Sequence, residues 1–273
     1  MKTKLLSVIL PVKNIKKWES NIIKNINIVN RKNFNEVEFI FVYSKQIDNS
    51  IESLEKKLVF IENVKFIRDN NKGIYSAMNF GISNSNGKYL QFMGADDTYN
   101  EIGFNKIIKL IENKTEHSMI LCEATLSTDK KNNKEKGNKL ASGWGGRIHW
   151  LLSSPRIHQA IIYKRSFIEK NNSRYQTNLK VTSDYIFTAE ILSKSQNIKA
   201  MNICFVNYYK YGFSSNFSLI NNYIEHIKGF SQSKILRKYL LLVIASRFLM
   251  MIYKLIIFSL KVIFVNCKNL INK

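Results

Sequence analysis

Up to Cys122 the chain repeats one pattern, a short apolar run followed by an amphipathic stretch. The runs are Leu5–Leu10, Glu38–Tyr43, Val64–Ile67, Tyr89–Met93 and Ser118–Cys122. Each is short and rich in β-branched or aromatic residues, as a strand buried on both faces requires. Between them Trp18–Val29, Ser50–Leu58, Ile74–Ser83 and Phe104–Ile111 carry helical spacing. Strands alternating with helices demand crossover connections, which pair strands in parallel and place helices on both faces of one sheet. The pattern therefore predicts a doubly wound, mostly parallel α/β fold. Thr128–Gly146, dense in Lys, Asn and Gly, reads as a long loop. Ala160–Tyr163 and Lys199–Tyr208 then read as strands around a helix at Asp184–Ser193. No internal repeat is visible. Residues 1–220 form the predicted α/β domain and 221–273 a C-terminal basic and apolar helical segment.

A chain of 273 residues with 45% hydrophobic content can bury a core for one large domain with an appendage. Twelve per cent aromatic residues and only two prolines exclude a disordered chain. Cys122, Cys204 and Cys267 lie too far apart to spell a disulfide framework or a zinc knuckle, and suit a reducing compartment. The opening run is short, is interrupted by Pro11 and lacks a small-residue cleavage site, so it reads as a core strand, not a signal peptide. A net charge of +22 attracts anions, whether phosphates or acidic lipid head groups. It does not by itself indicate nucleic acid: no RNP-like string or basic recognition helix is present, and no nucleic-acid partner is expected.

Asp96 and Asp97 follow the fourth strand in the string GKYLQFMGADD. Sites in open α/β sheets lie beyond the carboxyl ends of strands, and hard divalent cations take carboxylate oxygens. A polar turn closing the strand accounts for the pair equally well. Upstream, Asn71-Lys-Gly-Ile-Tyr-Ser-Ala-Met-Asn-Phe-Gly-Ile82 makes a turn into a helix, where Gly73 permits close approach of backbone to a ligand. Asp184 precedes an apolar-periodic helix, where an acid serves as a cap or dipole partner as readily as a catalytic group.

Taken in order, Ser7–Asn14, the Gly73–Ile82 string, Gly94–Asp97, His158-Gln-Ala160 and Ser183-Asp-Tyr185 resemble the family 2 glycosyltransferases of the GT-A fold, closest to bacterial surface-polysaccharide members. The resemblance covers roughly residues 5–215. It implies a nucleotide-binding, Rossmann-like domain that transfers a sugar with inversion from a nucleotide-sugar donor, usually a UDP-sugar, to a hydroxyl of a lipid-linked saccharide. By the same resemblance Pro11, Val12 and Asn14 flank the base, Lys72, Gly73 and Asn79 the nucleotide, and Asp96 the ribose. Asp97 holds Mn²⁺ or Mg²⁺, His158 meets the diphosphate or acceptor, and Asp184 is the base. A structural histidine is the competing reading for His158, and a helix-surface residue that for Asn79.

One departure stands out. Family members usually carry an Asp after the second strand that reads the base; here the string is Val42-Tyr-Ser-Lys-Gln-Ile-Asp48, with Tyr43 or Ser44 at the first acid. Tyr43 stacking on the base is the expected substitute. A non-catalytic member that binds nucleotide sugar, or a scaffold at the membrane, is the alternative function.

From His226 to the end the chain has no acidic residue, and eight Lys or Arg precede the terminal lysine. Tyr239–Val265 is apolar except for Arg247, Lys254, Lys261 and small polar residues. With Lys268 these basic residues recur every seven positions, which keeps them on one helix face. A transmembrane span, a helix packed on the domain and an in-plane amphipathic helix all compete. The in-plane reading, favoured here, makes the protein peripheral on the cytoplasmic face of the bacterial inner membrane, on an anionic surface. A homo-oligomer stays open.

Overall fold

The computed structural model describes residues 4–31, 34–44, 49–70, 73–113, 115–127, 157–209 and 218–271, with side chains after Tyr253 described only at 256 and 257. The predicted loop at Thr128–Gly146, together with Asp48 and Lys72, lies outside these residues, as do the side chains of Lys254, Lys261 and Lys268.

The strands are β1 (Lys4–Val12), β2 (Val37–Ser44), β3 (Val64–Asp69), β4 (Gly87–Phe92), β5 (Thr98–Tyr99), β6 (Met119–Ser127), β7 (Ile161–Lys164) and β8 (Ile198–Tyr209). They form one sheet in the order β3-β2-β1-β4-β7-β6-β8-β5. β1, β2, β3 and β4 pair in parallel, as do β6 and β8; β7 runs antiparallel to both its neighbours, and β5 to β8. The helices are α1 (Glu19–Arg31), α2 (Asn49–Leu58), α3 (Ile74–Ser83), α4 (Glu101–Glu112), α5 (Arg165–Lys170), α6 (Ser183–Lys194), α7 (Leu219–Gln232) and α8 (Leu240–Ile271).

The period-2 geometry of a strand decides which core each apolar residue joins. Leu6, Val8 and Leu10 of β1, with Phe39 and Phe41 of β2, pack under α1, α2 and α4. Ile9, Ile40 and Val42 point the other way, into a second core with Tyr75, Met78 and Ile82 of α3 and Phe187 and Ile191 of α6. Both faces are covered, which is why these strands read as unbroken apolar runs. A third cluster joins Tyr185, Ile186 and Ala189 of α6 to Phe230 of α7, Leu236 of the connecting turn and Val243 of α8.

The chain leaves β1 toward β2 on one side and returns from β3 to β4 on the other. The strand order therefore reverses between β1 and β4, and a crevice opens there at their carboxyl ends. At the opposite, amino end the buried carboxylate of Glu38 accepts from Ser7 Oγ, Asn86 N and Lys65 Nζ, at 2.6, 2.6 and 2.8 Å. These bonds hold its pKa low against burial. That network serves the sheet, and the chemistry lies at the other end.

Candidate active site

The rim of the crevice is built from the last residues of β1 to β4. Val12 stands opposite Tyr43, and Pro11 opposite Val42. Tyr43 in turn faces Arg68, and Ser44 faces Asp69. Pro11 and Tyr43 are half-buried, Val12 is buried and Asn14 is exposed just beyond the strand. Asp69, which nothing in its sequence surroundings marks, is an acid on this rim among the described residues. It stands on β3, one strand over from the position where the family places its own. Its Oδ2 accepts from Ser76 Oγ at 2.8 Å and so anchors the first turn of α3. Ahead of that turn Gly73 has φ +106°, a conformation that L side chains rarely adopt. It is exposed, has open space where a Cβ would point, and begins α3 without a side-chain cap.

The Asp96–Asp97 turn is clamped from α1. Asn21 Nδ2 donates to the Asp96 carbonyl and Asn25 Nδ2 to the Asp97 carbonyl, both at 3.0 Å, while Asn25 Oδ1 accepts from Tyr99 N at 2.9 Å. A buried asparagine inside the Ile22–Ile26–Val29 stripe was the one signal for this clamp in the sequence. Both carboxylates fold back over Gly94, where a Cβ would lie 2.4 Å from Asp96 Oδ1 and 2.8 Å from Asp97 Oδ2. Only glycine leaves room for that convergence.

Asp97 is 1% exposed, and its two oxygens accept from Gly94 N at 3.2 Å and Tyr209 N at 2.9 Å. Burial, with the like charge of Asp96 adding to it, pushes its pKa up to about 8. Burial raises Asp96 too, opposed by nearby Lys17. The Lys17 ammonium lies 4.5 Å from the Trp18 ring and 5.7 Å from that of Tyr209. Two converging carboxylates, offering only oxygen, suit a hard divalent cation. Among the described residues no cluster of three or more His, Cys, Asp or Glu exists, so a cation here would draw its other oxygens from diphosphate and water.

Asp184 lies in the first turn of α6, half-buried. Burial raises its carboxyl to about 6, against the bond that Tyr185 N donates to Oδ1 at 2.7 Å. Through that bond the carboxylate satisfies one of the free N–H groups of the first turn of α6. The turn before α6 is closed by Glu225 of α7, whose carboxylate accepts from the backbone N–H groups of Lys180, Val181 and Thr182 at 2.7–3.2 Å. The N–H groups of Ser183 and Asp184 meet the hydroxyl oxygen of Tyr75.

His158 is buried beneath this helix. Its Nε2 is 3.1 Å from Tyr175 Oη and its Nδ1 3.3 Å from Tyr163 Oη, and burial lowers its pKa to about 3. A neutral ring thus has both nitrogens engaged. Tyr163 Oη also lies 2.8 Å from Thr188 Oγ1, which donates to the Asp184 carbonyl at 2.8 Å. Asn79, for its part, bonds both the N–H and the C=O of Tyr175 at 2.9 Å. Its side chain joins α3 to the irregular segment carrying Tyr175. Phe92, the last residue of β4, stacks on His158 at 5.4 Å and meets Tyr175 and Phe187 edge-on. One aromatic cluster therefore connects the strand that ends in Asp96–Asp97 to the helix that begins at Asp184.

Comparison with known proteins gives the family and the fold. The family model for glycosyl transferase family 2 matches residues 7–187, from the first strand into α6. The minor teichoic acid biosynthesis protein GgaB of Bacillus subtilis is 26% identical over 196 residues, which cover 70% of this chain and 21% of that protein. The chain thus spans about a fifth of that relative's length. A PGL/p-HBAD biosynthesis glycosyltransferase of Mycobacterium tuberculosis is 24% identical over 240 residues, 83% of this chain and 85% of that one. Among solved structures, S. aureus TarS 1-349 in complex with UDP-GlcNAc superposes with a TM-score of 0.67 at 16% identity, covering 89% of this chain and 71% of that chain. Mannosyltransferase PcManGT from Pyrobaculum calidifontis, in complex with GDP-Man and Mn²⁺, gives 0.58 at 13%, covering 89% and 72%. These two likenesses establish the GT-A fold. With the family model matched over residues 7–187, well over half of the chain, the chain belongs to glycosyl transferase family 2.

Proposed function

We propose that this protein moves a sugar, with inversion, from a nucleotide-sugar donor to a hydroxyl of a lipid-linked saccharide during surface-polysaccharide assembly. The UDP-GlcNAc in the TarS complex and the teichoic acid and glycolipid relatives support a UDP-sugar and such an acceptor. The observation that carries the reading is Asp184, a half-buried carboxylate at the start of α6 whose pKa burial raises to about 6.

The chemistry follows from what each group can do. The donor nucleotide lies over the β1–β3 rim, with Pro11, Val12, Asn14 and Tyr43 beside the base and Gly73 bringing backbone close. Lys17 and the N-terminal end of α3 favour the anionic diphosphate. Asp97, with Asp96 beside it, would hold a divalent cation, which offsets charge on the leaving diphosphate when bound. Asp184 takes the proton of the acceptor hydroxyl as that oxygen attacks the anomeric carbon and the nucleoside diphosphate departs. A base with a pKa of about 6 is deprotonated at neutral pH yet still a competent proton acceptor. The closed network of Tyr175, His158, Tyr163 and Thr188 keeps the first turn of α6 in place.

The test is nucleoside diphosphate release from a panel of UDP- and GDP-sugars with Mn²⁺ or Mg²⁺, with and without acceptor. Wild-type protein should release product and lose that activity in excess EDTA, and Asp97→Asn should nearly abolish it with the fold intact. Full activity in EDTA removes the metal role. Donor binding without release under every condition leaves a non-catalytic nucleotide-sugar-binding protein.

A further inference from the structure

α8 presents two unlike faces. Toward the domain it sends Val243, fully buried in the cluster with Tyr185 and Phe230, and Arg247, whose guanidinium lies 5.0 Å from the Tyr185 ring. The other face, through Leu241, Leu242, Ala245, Phe248, Leu249, Ile252, Tyr253 and Ile256, is exposed and carries no charge. At 100° per residue these eight positions fall within about 140° of arc. Leu241 is 82% and Leu249 65% exposed. An apolar surface of this extent is unusual on a soluble monomer and marks an interaction face. The heptad of basic residues thus begins on the wrong side for a bilayer, since Arg247 faces α6. Charge at the outer edge comes instead from the exposed Lys234, Arg237 and Lys238, at the head of the helix.

We infer that this outer face of α8 docks on an anionic phospholipid bilayer, lying in the plane of the interface. The occupant follows from charge. No Asp or Glu occurs after Glu225, and Lys234, Arg237 and Lys238 stand exposed at the head of the helix, so a second copy would bring like charge to like charge there, whereas lipid phosphates complement it. Among the described residues no helix is long and apolar enough to cross a membrane. An apolar face flanked by basic side chains suits a helix sunk to the acyl boundary. Because the inner face of α8 packs on α6, the docked bilayer sits at a fixed offset from Asp184. A lipid-linked acceptor then meets the base without leaving the membrane.

The full chain should co-sediment with vesicles of equal parts phosphatidylcholine and phosphatidylglycerol, and bind vesicles of phosphatidylcholine alone more weakly. Rising salt should weaken the binding. The triple variant Leu241→Ser, Phe248→Ser, Ile252→Ser changes only exposed positions and should lose about tenfold or more in vesicle affinity. It should keep the circular dichroism and melting of the wild type. Val59→Ser with Phe60→Ser, exposed apolar residues elsewhere, should bind as wild type. Equal binding by the triple variant overturns the proposal, as does an equal loss in the Val59/Phe60 control. So does a wild-type dimer that the triple variant turns into a monomer with vesicle binding unchanged, because the face then belongs to a second copy.

Discussion

At the scale of single residues, Asp184 illustrates how a neighbour defines a role. Glu225 closes the turn ahead of α6, and the half-buried Asp184 carboxylate has a pKa raised by burial to about 6. Replacing it with Asn removes a carboxylate whose ionised form is disfavoured in the fold, so at neutral pH the variant should be at least as stable as the wild type. Turnover should fall by about 10²–10⁴. In the wild type the rate should climb about tenfold per pH unit below 6 and level off above it, because only the ionised carboxylate accepts a proton. Stability carries the opposite slope. The folded chain holds this proton up to about pH 6, whereas the unfolded chain loses it near 3.8, so the proton favours the fold and its contribution declines as pH rises through that window. Steady-state profiles and urea midpoints against pH for wild type and Asp184→Asn check both. An Asn variant with wild-type transfer refutes the base. His158, Asn79 and Glu225 differ from Asp184 in that their polar atoms are closed by protein partners, a property set by folding.

Among elements, closeness of packing turns on a few glycines. Gly103 lies where α4 meets β8, and a Cβ built there would stand 1.7 Å from the Cys204 carbonyl oxygen. That neighbour is backbone and cannot rotate away. Gly103→Ala should therefore separate helix from sheet and cost about 1–3 kcal/mol or more. Gly73→Ala meets no atom and suffers only its positive φ, at about 1–2 kcal/mol. Urea unfolding of the two variants should rank them in that order. Element positions were otherwise legible in the sequence: every predicted strand and helix up to Tyr208 that lies in the described residues is present. β6 continues to Ser127, beyond the expected Cys122, because its later residues alternate polar and apolar while still pairing with β8. The two-residue β5 was too short to carry any period. The antiparallel course of β7 was invisible for a different reason, since strand direction depends on connections and not on composition.

For the molecule as a whole, the division near residue 220 cuts across a packed region. Gly229 lies against Ile186, and Phe230, Leu236 and Val243 complete the cluster around α6. Burial of each of those three side chains stabilises by about 1.5–3 kcal/mol. A chain ending at Gly229 should therefore melt well below the full protein, and one ending at Met251, which keeps all three, should not. Equal melting of the two truncations would show that the cluster contributes little.

Local chemistry determined much of this protein from the sequence alone. Apolar period, strand and helix alternation, and the strings around Gly73, Asp96–Asp97 and Asp184 act over neighbouring residues, so they declare the α/β sheet and the family directly. Partnership was decided only by the tertiary structure. Asn25 clamps a turn beyond β4, Asn79 holds the Tyr175 segment, Glu225 closes the turn ahead of α6, and Arg247 faces inward. Each joins residues distant in sequence or sets which way a helix turns. Such relations depend on how elements pack, and no local pattern records them.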